Sequence, residues 1–591
     1  MTSTLERAEK WIAHDPDPRT RDELRFLVEA AHNGHAPAQR DIDERFAGPL
    51  EFGTAGLRGV LGAGESRMNL AVVIRTTLGL ANYLLADPSL EVKRRGVAIG
   101  FDGRRQSRDF ARAAVEVLAA LGIPTVNSEG VCPTPLLAYA VTRVGAAAGI
   151  MVTASHNPPE YNGYKVYWGN GAQIIPPHDR GIARAIDLAP PADAIARMGV
   201  AEAREAGLCR TFPIDLDLAY LDAIGALSLT SRGARDAPIV YTPLHGVGNR
   251  LVREALRRAD FTNVVSVPEQ AEPNGEFPTV AFPNPEEKGA LDLSFALADR
   301  LGADLVLASD PDADRLAVAV RTRPASDPAS KHFTQLTGNQ VGVLLGHYLL
   351  TKGPQGDDRL ALASCVSSPQ LGTIARALGV RYEETLTGFK WIANRALEIE
   401  RDEKKRFVFG YEEALGYTVG SLVRDKDGVS AAALFAELWA ALRADGRTVF
   451  DELEVIARTW GCFVSSQLSV TLKGQDGLQK IQQVMARLRA HPPSSMGPTQ
   501  VSAVSDVKAG TRRTSDGDES PLTLPSSDVL IFELEGGSRV IARPSGTEPK
   551  LKIYFDVRED MSAGEPLEAA EQRANARMAS ICAAFRDAAG V

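Results

Sequence analysis

Gly149-Ile150-Met151-Val152-Thr153-Ala154-Ser155-His156-Asn157-Pro158 begins as an apolar run and breaks into a polar loop closed by proline. Such a run bounded by loop residues reads as a buried strand. A serine beside an imidazole at its end sets a nucleophile next to a proton carrier. The same residue types also suit a helix N-cap, so the loop alone leaves both readings open.

Outward from this strand, the chain repeats one pattern three times. Val97-Ala98-Ile99-Gly100 reads as a strand, followed by a helix capped by Ser107, carrying Phe110, Ala114, Leu118 and Leu121, and ended by Gly122. Ile239-Val240-Tyr241 leads through a Gly-containing loop to a helix with Leu251, Val252, Ala255 and Leu256, then to the strand Val264-Val265. Leu360 to Ala363 leads to a helix opened by Ser368-Pro369, carrying Leu371, Ile374, Ala375 and Leu378, and ended by Gly379. Strand, loop, helix, strand, repeated, predicts tandem α/β domains with largely parallel sheets.

The end of the chain differs. Val529 to Leu534 and Arg539 to Ala542 predict a hairpin around Gly536-Gly537, then a strand over Leu551 to Val557 and an amphipathic helix over Leu567 to Phe585. The fold class expected is therefore α/β: three tandem α/β domains with mixed, largely parallel sheets, plus a C-terminal α+β domain. The expected boundaries are a helical extension over 1–47 and domains over 48–225, 236–335, 336–460 and 461–591. Pro190-Pro191, Ser228 to Asp236 and Thr511 to Asp528 read as linkers or loops.

Composition sets the outer limits. The chain has 591 residues, 44% hydrophobic and 24% charged, with a net charge of −9. This is the profile of a soluble globular protein, and the negative charge disfavours a nucleic-acid partner. No apolar run reaches the roughly 18 residues of a membrane span. The five cysteines fall in no metal or disulfide spacing, which fits a reducing cytoplasm. The expectation is a cytoplasmic protein with no membrane partner.

Five further loops carry chemistry. Asp310-Pro311-Asp312-Ala313-Asp314-Arg315 follows the buried strand Ala303 to Ala308. Three carboxylates at alternate positions repel one another, a conflict that a hard divalent cation such as Mg²⁺ or Ca²⁺ removes. An EF-hand would need Gly and Glu where Arg315 and Arg321 stand. A haloacid-dehalogenase-type phosphatase loop is a rival, with Asp310 as nucleophile, but it calls for Thr or Val in place of Asp314. A solvated acidic turn is the plain alternative.

Arg543-Pro544-Ser545-Gly546-Thr547-Glu548-Pro549-Lys550 gathers a guanidinium, two hydroxyls and backbone N–H groups suited to a phosphate dianion; the alternative is an ordinary hairpin turn. Gly410-Tyr411-Glu412-Glu413-Ala414-Leu415-Gly416-Tyr417 follows the strand Arg406 to Phe409. Its paired acids can accept from sugar hydroxyls or sit on a solvated helix start. Thr387-Gly388-Phe389-Lys390 and Phe52-Gly53-Thr54-Ala55-Gly56-Leu57-Arg58-Gly59 present Lys390 and Arg58 from loops beside strand ends, where open α/β sheets bind ligands. No Walker A motif, dinucleotide fingerprint after a strand or nucleophile-elbow serine occurs.

These motifs, in this order and from about residue 50 onward, resemble the α-D-phosphohexomutase superfamily of phosphoglucomutases and phosphomannomutases. The helical front, the Arg58 turn, the Glu412 loop, Pro273-Asn274-Gly275-Glu276-Phe277-Pro278 and Pro283-Asn284-Pro285-Glu286-Glu287 are most similar to its phosphoglucomutase-2-like branch. The resemblance implies domains around a central cleft, and Ser155 as a phosphoserine that ligates Mg²⁺ together with Asp310, Asp312 and Asp314. It implies Arg58, His156, Lys165 and Arg315 at the transfer site and Lys390 as a further proton carrier. Glu412, with Glu413, Thr387 and Gly388 beside it, would meet the sugar, while Arg543, Ser545, Gly546 and Thr547 would grip the non-reacting phosphate.

The activity implied is phosphoryl movement between C1 and C6 of a sugar (C5 for a pentose), with a sugar 1,6-bisphosphate as activator and bound intermediate. Its partners would be small sugar phosphates, in a monomer or small homo-oligomer. Glucose is the first expectation because Glu412 is present. Pentose phosphate is the runner-up, because Ala414 replaces a serine found in several relatives, and mannose phosphate is a further alternative. A phosphatase using Asp310 and a sugar-phosphate binding protein without turnover are the readings from other classes.

Overall fold

A strand that is apolar on both faces needs cover on both, and all five positions of Ala148–Val152 are buried. In the computed structural model, which describes residues 3–53, 56–322, 332–471, 477–545 and 550–590, the chain forms two compact units. One is Met1–Leu336 with Gly416–Ala440; the other is Thr337–Leu415 with Ala441–Val591.

The first unit opens with the helices Thr4–His14, Pro18–His32 and Ala36–Arg45, each started by a side-chain cap, from Ser3, Asp17 and His35. Its first sheet contains β1 (Leu57–Val60), β2 (Val97–Phe101), β3 (Thr125–Asn127), β4 (Ala148–Val152), β5 (Tyr161–Trp168) and β6 (Cys209–Thr211), in the order β1-β5-β4-β2-β3-β6. From β4 to β6 neighbours run parallel, while β5 and β1 pair antiparallel. The helices Leu70–Leu85 and Ser107–Ala120 pack on it through Ile74, Leu80, Leu84, Phe110 and Leu118, all fully buried with Ile99 and Ile150. Truncating Phe110 to Ala there would cost about 3–5 kcal/mol.

The second sheet holds β7 (Ile239–Thr242), β8 (Val264–Ser266), β9 (Leu305–Ala308), β10 (Ala317–Arg321) and β11 (Phe333–Gln335), in the order β11-β10-β9-β7-β8. Strands β9, β7 and β8 are parallel; β10 and β11 return antiparallel.

In the second unit, β12 (Arg359–Ser364) lies between β13 (Arg381–Thr385) and β14 (Arg406–Glu412), all parallel. The chain then gives β15 (Gly416–Val419) to the first unit. The last domain is antiparallel: β16 (Cys462–Thr471), β17 (Ser495–Met496), β18 (Thr499–Asp506), β19 (Thr511–Thr514), β20 (Glu519–Pro521), β21 (Leu530–Leu534), β22 (Arg539–Pro544) and β23 (Lys550–Glu559). The order is β16-β23-β22-β21-β18-β19-β20, with β17 on β18. The helix Leu567–Ala589 covers it through Ala574, Met578, Ile581 and Phe585. Three α/β sheets and a C-terminal α+β domain match the expected fold class.

Two local expectations need correction. Ser107 does not cap its helix: Gln106, at φ 62°, is the N-cap and makes no side-chain cap bond. The left-handed step at Gln106 carries Ser107 into the first turn, where its hydroxyl donates to Asp102 Oδ1 at 2.7 Å. Thr511 to Asp528 is not all loop, since β19 and β20 pair within it. No position in either strand is fully buried, so their polar sequence lacks the apolar alternation that marks a strand. Ser228 to Asp236 is irregular as expected, and Glu437 accepts from Leu229 N (2.8 Å), Thr230 N (3.3 Å) and the Ser228 hydroxyl.

Candidate active site

Strands β4 and β9 each stop at a loop that bends through the left-handed region, Ser155 at φ 51° and Ala313 at φ 57°. L-residues hold this conformation where their surroundings enforce it. Ala313 N donates to Asp310 O at 2.9 Å, closing a turn on which Asp310, Asp312 and Asp314 converge. One oxygen from each carboxylate lies within 4.8 Å of the others, and all three residues are 0% exposed. Ser155, 3% exposed, donates from Oγ to Asp310 Oδ2 at 2.7 Å, and His156 Nδ1 lies 3.3 Å from the same Oγ.

Cations surround the cluster. Lys165, on buried β5, donates to Asp312 Oδ2 at 2.8 Å and Asp314 Oδ2 at 3.1 Å. Lys426 also donates to Asp314 Oδ2. Arg315 Nε is 3.9 Å from Asp310 Oδ2, its Nη1 is 3.7 Å from Glu286, and its backbone N donates to Asp310 Oδ1 at 3.0 Å. Arg58, on β1, donates to Asn157 Oδ1 at 3.0 Å in the serine loop.

Burial, then the Asp314 and Asp312 charges, push the Asp310 carboxyl well above the usual carboxylate range. Burial acts the same way on Asp312 and Asp314, but the Lys165 and Lys426 ammoniums overcome it and hold both below that range. Burial lowers Lys165, and Asp312 and Asp314 more than reverse it, so this lysine stays protonated. Burial, Arg315 and Arg58 hold the His156 imidazole well below its ordinary value, which leaves it neutral at pH 7.

The donor set is oxygen-only and buried, and Asp312 Oδ1 and Asp314 Oδ1 are buried atoms with no hydrogen-bond partner among the described residues. Unsatisfied buried oxygens in a cluster of three carboxylates fit a hard divalent cation, Mg²⁺ or Ca²⁺.

The second unit holds the other residues singled out from sequence. Glu412, 7% exposed at the end of β14, accepts from Gly388 N at 2.6 Å. Gly388 has φ 114° and opens the helix Phe389–Asp402. Thr387 precedes it, and Lys390 Nζ lies 5.9 Å from the Trp391 ring centroid. Glu413 accepts from Ser364 Oγ (3.1 Å) and Ser367 Oγ (3.3 Å), and β15 rather than a helix follows this loop. Arg543 stands at the end of β22, where its charge bears on the Tyr554 phenol. Ser545 N donates to Lys550 O at 2.8 Å. Gly546 and Thr547 lie outside the described residues.

Sequence reading missed several side chains. Lys426 and Thr134, whose hydroxyl donates to Asp312 Oδ2 at 2.7 Å, belong to the carboxylate cluster. Lys426 stands between Asp425 and Asp427 just ahead of an apolar helix, a setting that reads as surface charge in the sequence alone. Arg104, in the loop after β2, donates to backbone carbonyls of the Ser155 loop. It sits past a strand end in the same sheet as Ser155, the rule that marked the other loops. In the second unit, buried Arg539 binds Asp556 at 2.9 Å and Glu384 at 2.8 Å, tying the last sheet to β13.

Four family models match the chain in order: phosphoglucomutase/phosphomannomutase alpha/beta/alpha domain I over residues 49–190, domain II over 218–323, domain III over 337–458 and the C-terminal domain over 481–574. A protein named probable phosphoribomutase from Schizosaccharomyces pombe is 39% identical over 572 residues, covering 94% of this chain and 93% of its own. A probable phosphomannomutase from Haemophilus influenzae is 40% identical over 495 residues, covering 83% of this chain and 93% of its own. The crystal structure of parafusin, a phosphoglucomutase from Paramecium, shares the fold at a TM-score of 0.66 and 18% identity, over 92% of this chain and 96% of its own. The chain belongs to the phosphoglucomutase/phosphomannomutase family, within the α-D-phosphohexomutases, and is an intramolecular phosphotransferase acting on sugar phosphates.

Proposed function

We propose that this mutase moves a phosphoryl group between C1 and C6 of a sugar, or C1 and C5 of a pentose, through phospho-Ser155 and a bound sugar bisphosphate. The 2.7 Å contact of the Ser155 hydroxyl with a buried three-carboxylate cluster carries this reading. Asp310, Asp312 and Asp314 would hold Mg²⁺, with phospho-Ser155 as the further ligand. When bound, the ion supplies positive charge to the oxygens of the transferring group.

The chain's own residues do the rest. Arg58, Lys165 and Arg315 bring fixed positive charge to a dehydrated site, where it acts strongly on developing negative charge. Neutral His156 can take a proton from Ser155 Oγ or return one through Nδ1, 3.3 Å away. Lys390 is the further proton carrier, at the sugar's end. Glu412, oriented by the Gly388 amide, accepts hydrogen bonds from sugar hydroxyls, with Thr387 and Glu413 beside it. Arg543, Ser545, Gly546 and Thr547 grip the phosphate that does not react, so either end of the sugar can occupy the same place.

Glucose phosphate is the first substrate reading, supported by the buried, oriented Glu412. A pentose phosphate is the second. It is favoured by Ala414, which brings no hydroxyl to the sugar loop, and by the likeness, over 94% of this chain, to the S. pombe protein named probable phosphoribomutase. Rates with glucose 1-, mannose 1-, ribose 1- and deoxyribose 1-phosphate, with Mg²⁺ and a trace of the bisphosphate, test both. Fastest turnover of glucose 1-phosphate is expected; faster ribose turnover would select the second reading. No turnover of any of them would sink the proposal.

A further inference from the structure

Arg104 is 4% exposed, and its guanidinium is spent on the backbone of the Ser155 loop. Nη2 donates to Ser155 O and Asn157 O; Nη1 donates to Pro158 O at 2.8 Å and Tyr161 O at 3.2 Å. From below, Asp102 accepts from Arg104 N at 2.9 Å and sets Oδ2 3.5 Å from its Nε. A planar fork of donors can reach several carbonyls at once, which a lysine ammonium on a flexible stem cannot reproduce.

Arg104 Cζ lies over the Phe277 ring, 4.9 Å from its centroid. Phe277 belongs to Pro273-Asn274-Gly275-Glu276-Phe277-Pro278, a motif with no part in the transfer chemistry above. The motif packs tightly against the Arg104 loop: a Cβ on Gly275 would stand 2.9 Å from Arg105 N and Gly103 O. Asn274 N donates to His245 O at 2.9 Å, and Glu276 pairs with Arg105. Phe277 is itself at φ 47°, a strained position held by this packing.

We propose that Arg104, backed by Phe277, is the positioning residue that holds the left-handed Ser155 loop in the conformation from which phosphoryl transfer occurs. This rests on Ser155 as the phosphoryl carrier. A loop misplaced by about 1 Å loses on the order of 100-fold in rate without losing its substrate contacts.

Single-turnover phosphorylation of the full chain by glucose 1,6-bisphosphate with Mg²⁺, read by intact-protein mass spectrometry, tests it. In Arg104→Lys the rate constant is expected to fall about 100-fold, and in Phe277→Leu about threefold. The final phosphorylated fraction and the KM for sugar phosphate should stay near wild type in both, because folded sites and binding contacts remain. A wild-type rate constant in Arg104→Lys overturns the proposal. So does a reduced phosphorylated fraction that reacts at the wild-type rate, the signature of a merely structural residue. Ser155→Ala, run alongside, should take up no phosphate; uptake there would overturn the Ser155 reading itself, a result the Arg104 variants cannot produce.

Discussion

The Ser155 hydroxyl donates to Asp310 Oδ2 at 2.7 Å across 155 residues of chain. Each residue follows the end of a central strand, β4 in one sheet and β9 in the other, the place where open α/β sheets gather ligands. The contact joins the serine hydroxyl, proposed as the phosphoryl carrier, to a cluster whose charge a divalent cation would balance.

Removing the cation should remove activity. Chelation is expected to abolish turnover and added Mg²⁺ to restore it. Mg²⁺ at 100 times its dissociation constant should stabilise the fold by about 2.7 kcal/mol, read as a rise in Tm. Asp312→Asn should lower kcat by roughly 100-fold or more with an unchanged circular dichroism spectrum. Full activity in excess chelator would contradict the metal assignment.

Lys426 and Lys165 share Asp314 Oδ2, so they compete electrostatically with a bound cation. Lys426→Met should therefore tighten Mg²⁺ binding, by roughly tenfold. Titration calorimetry reads this directly. Weaker Mg²⁺ binding in the variant would mean that the lysine orders the cluster instead.

Where the sequence is most legible, burial is continuous. Ala148–Val152 and Leu305–Ala308 are apolar runs, buried at every position, and polar loops follow both. Their strand character and loop ends need no tertiary information. Lys426 was illegible because its meaning depends on Asp314, 112 residues away. A lysine between two aspartates otherwise reads as surface charge. The Thr511–Thr514 and Glu519–Pro521 strands were illegible for a different reason: no position in either is fully buried, so they carry no apolar face to read.

Glu452 gives a pH dependence whose sign is set. Its carboxylate is held below the usual range first by the hydrogen bond to His347, 3.0 Å away, and then by Arg447. A folded-state pKa below the unfolded one contributes stability above the unfolded value of 4.5, lost as pH falls through the folded one. Glu452→Gln should therefore cost about 1–2 kcal/mol at neutral pH. The gap from wild type should close in acid below the folded pKa. Thermal melts across pH measure it; a gap that widens in acid would reverse the assignment.

Glu412→Gln tests the sugar contact. The variant should keep its Mg²⁺ affinity and its Ser155 phosphorylation by bisphosphate. Its kcat/KM for the preferred sugar phosphate should fall about 10–100-fold, the loss of a charged hydrogen-bond acceptor. An unchanged kcat/KM would remove Glu412 from the sugar site.

Mapping the phosphate on the trapped phosphoenzyme, by peptide mass spectrometry after acid quench, decides where the phosphoryl group is carried. An acid-stable phosphate on Ser155, absent in Ser155→Ala, is expected. A labile acyl phosphate on Asp310, or phosphate incorporation that survives the loss of Ser155, would contradict it.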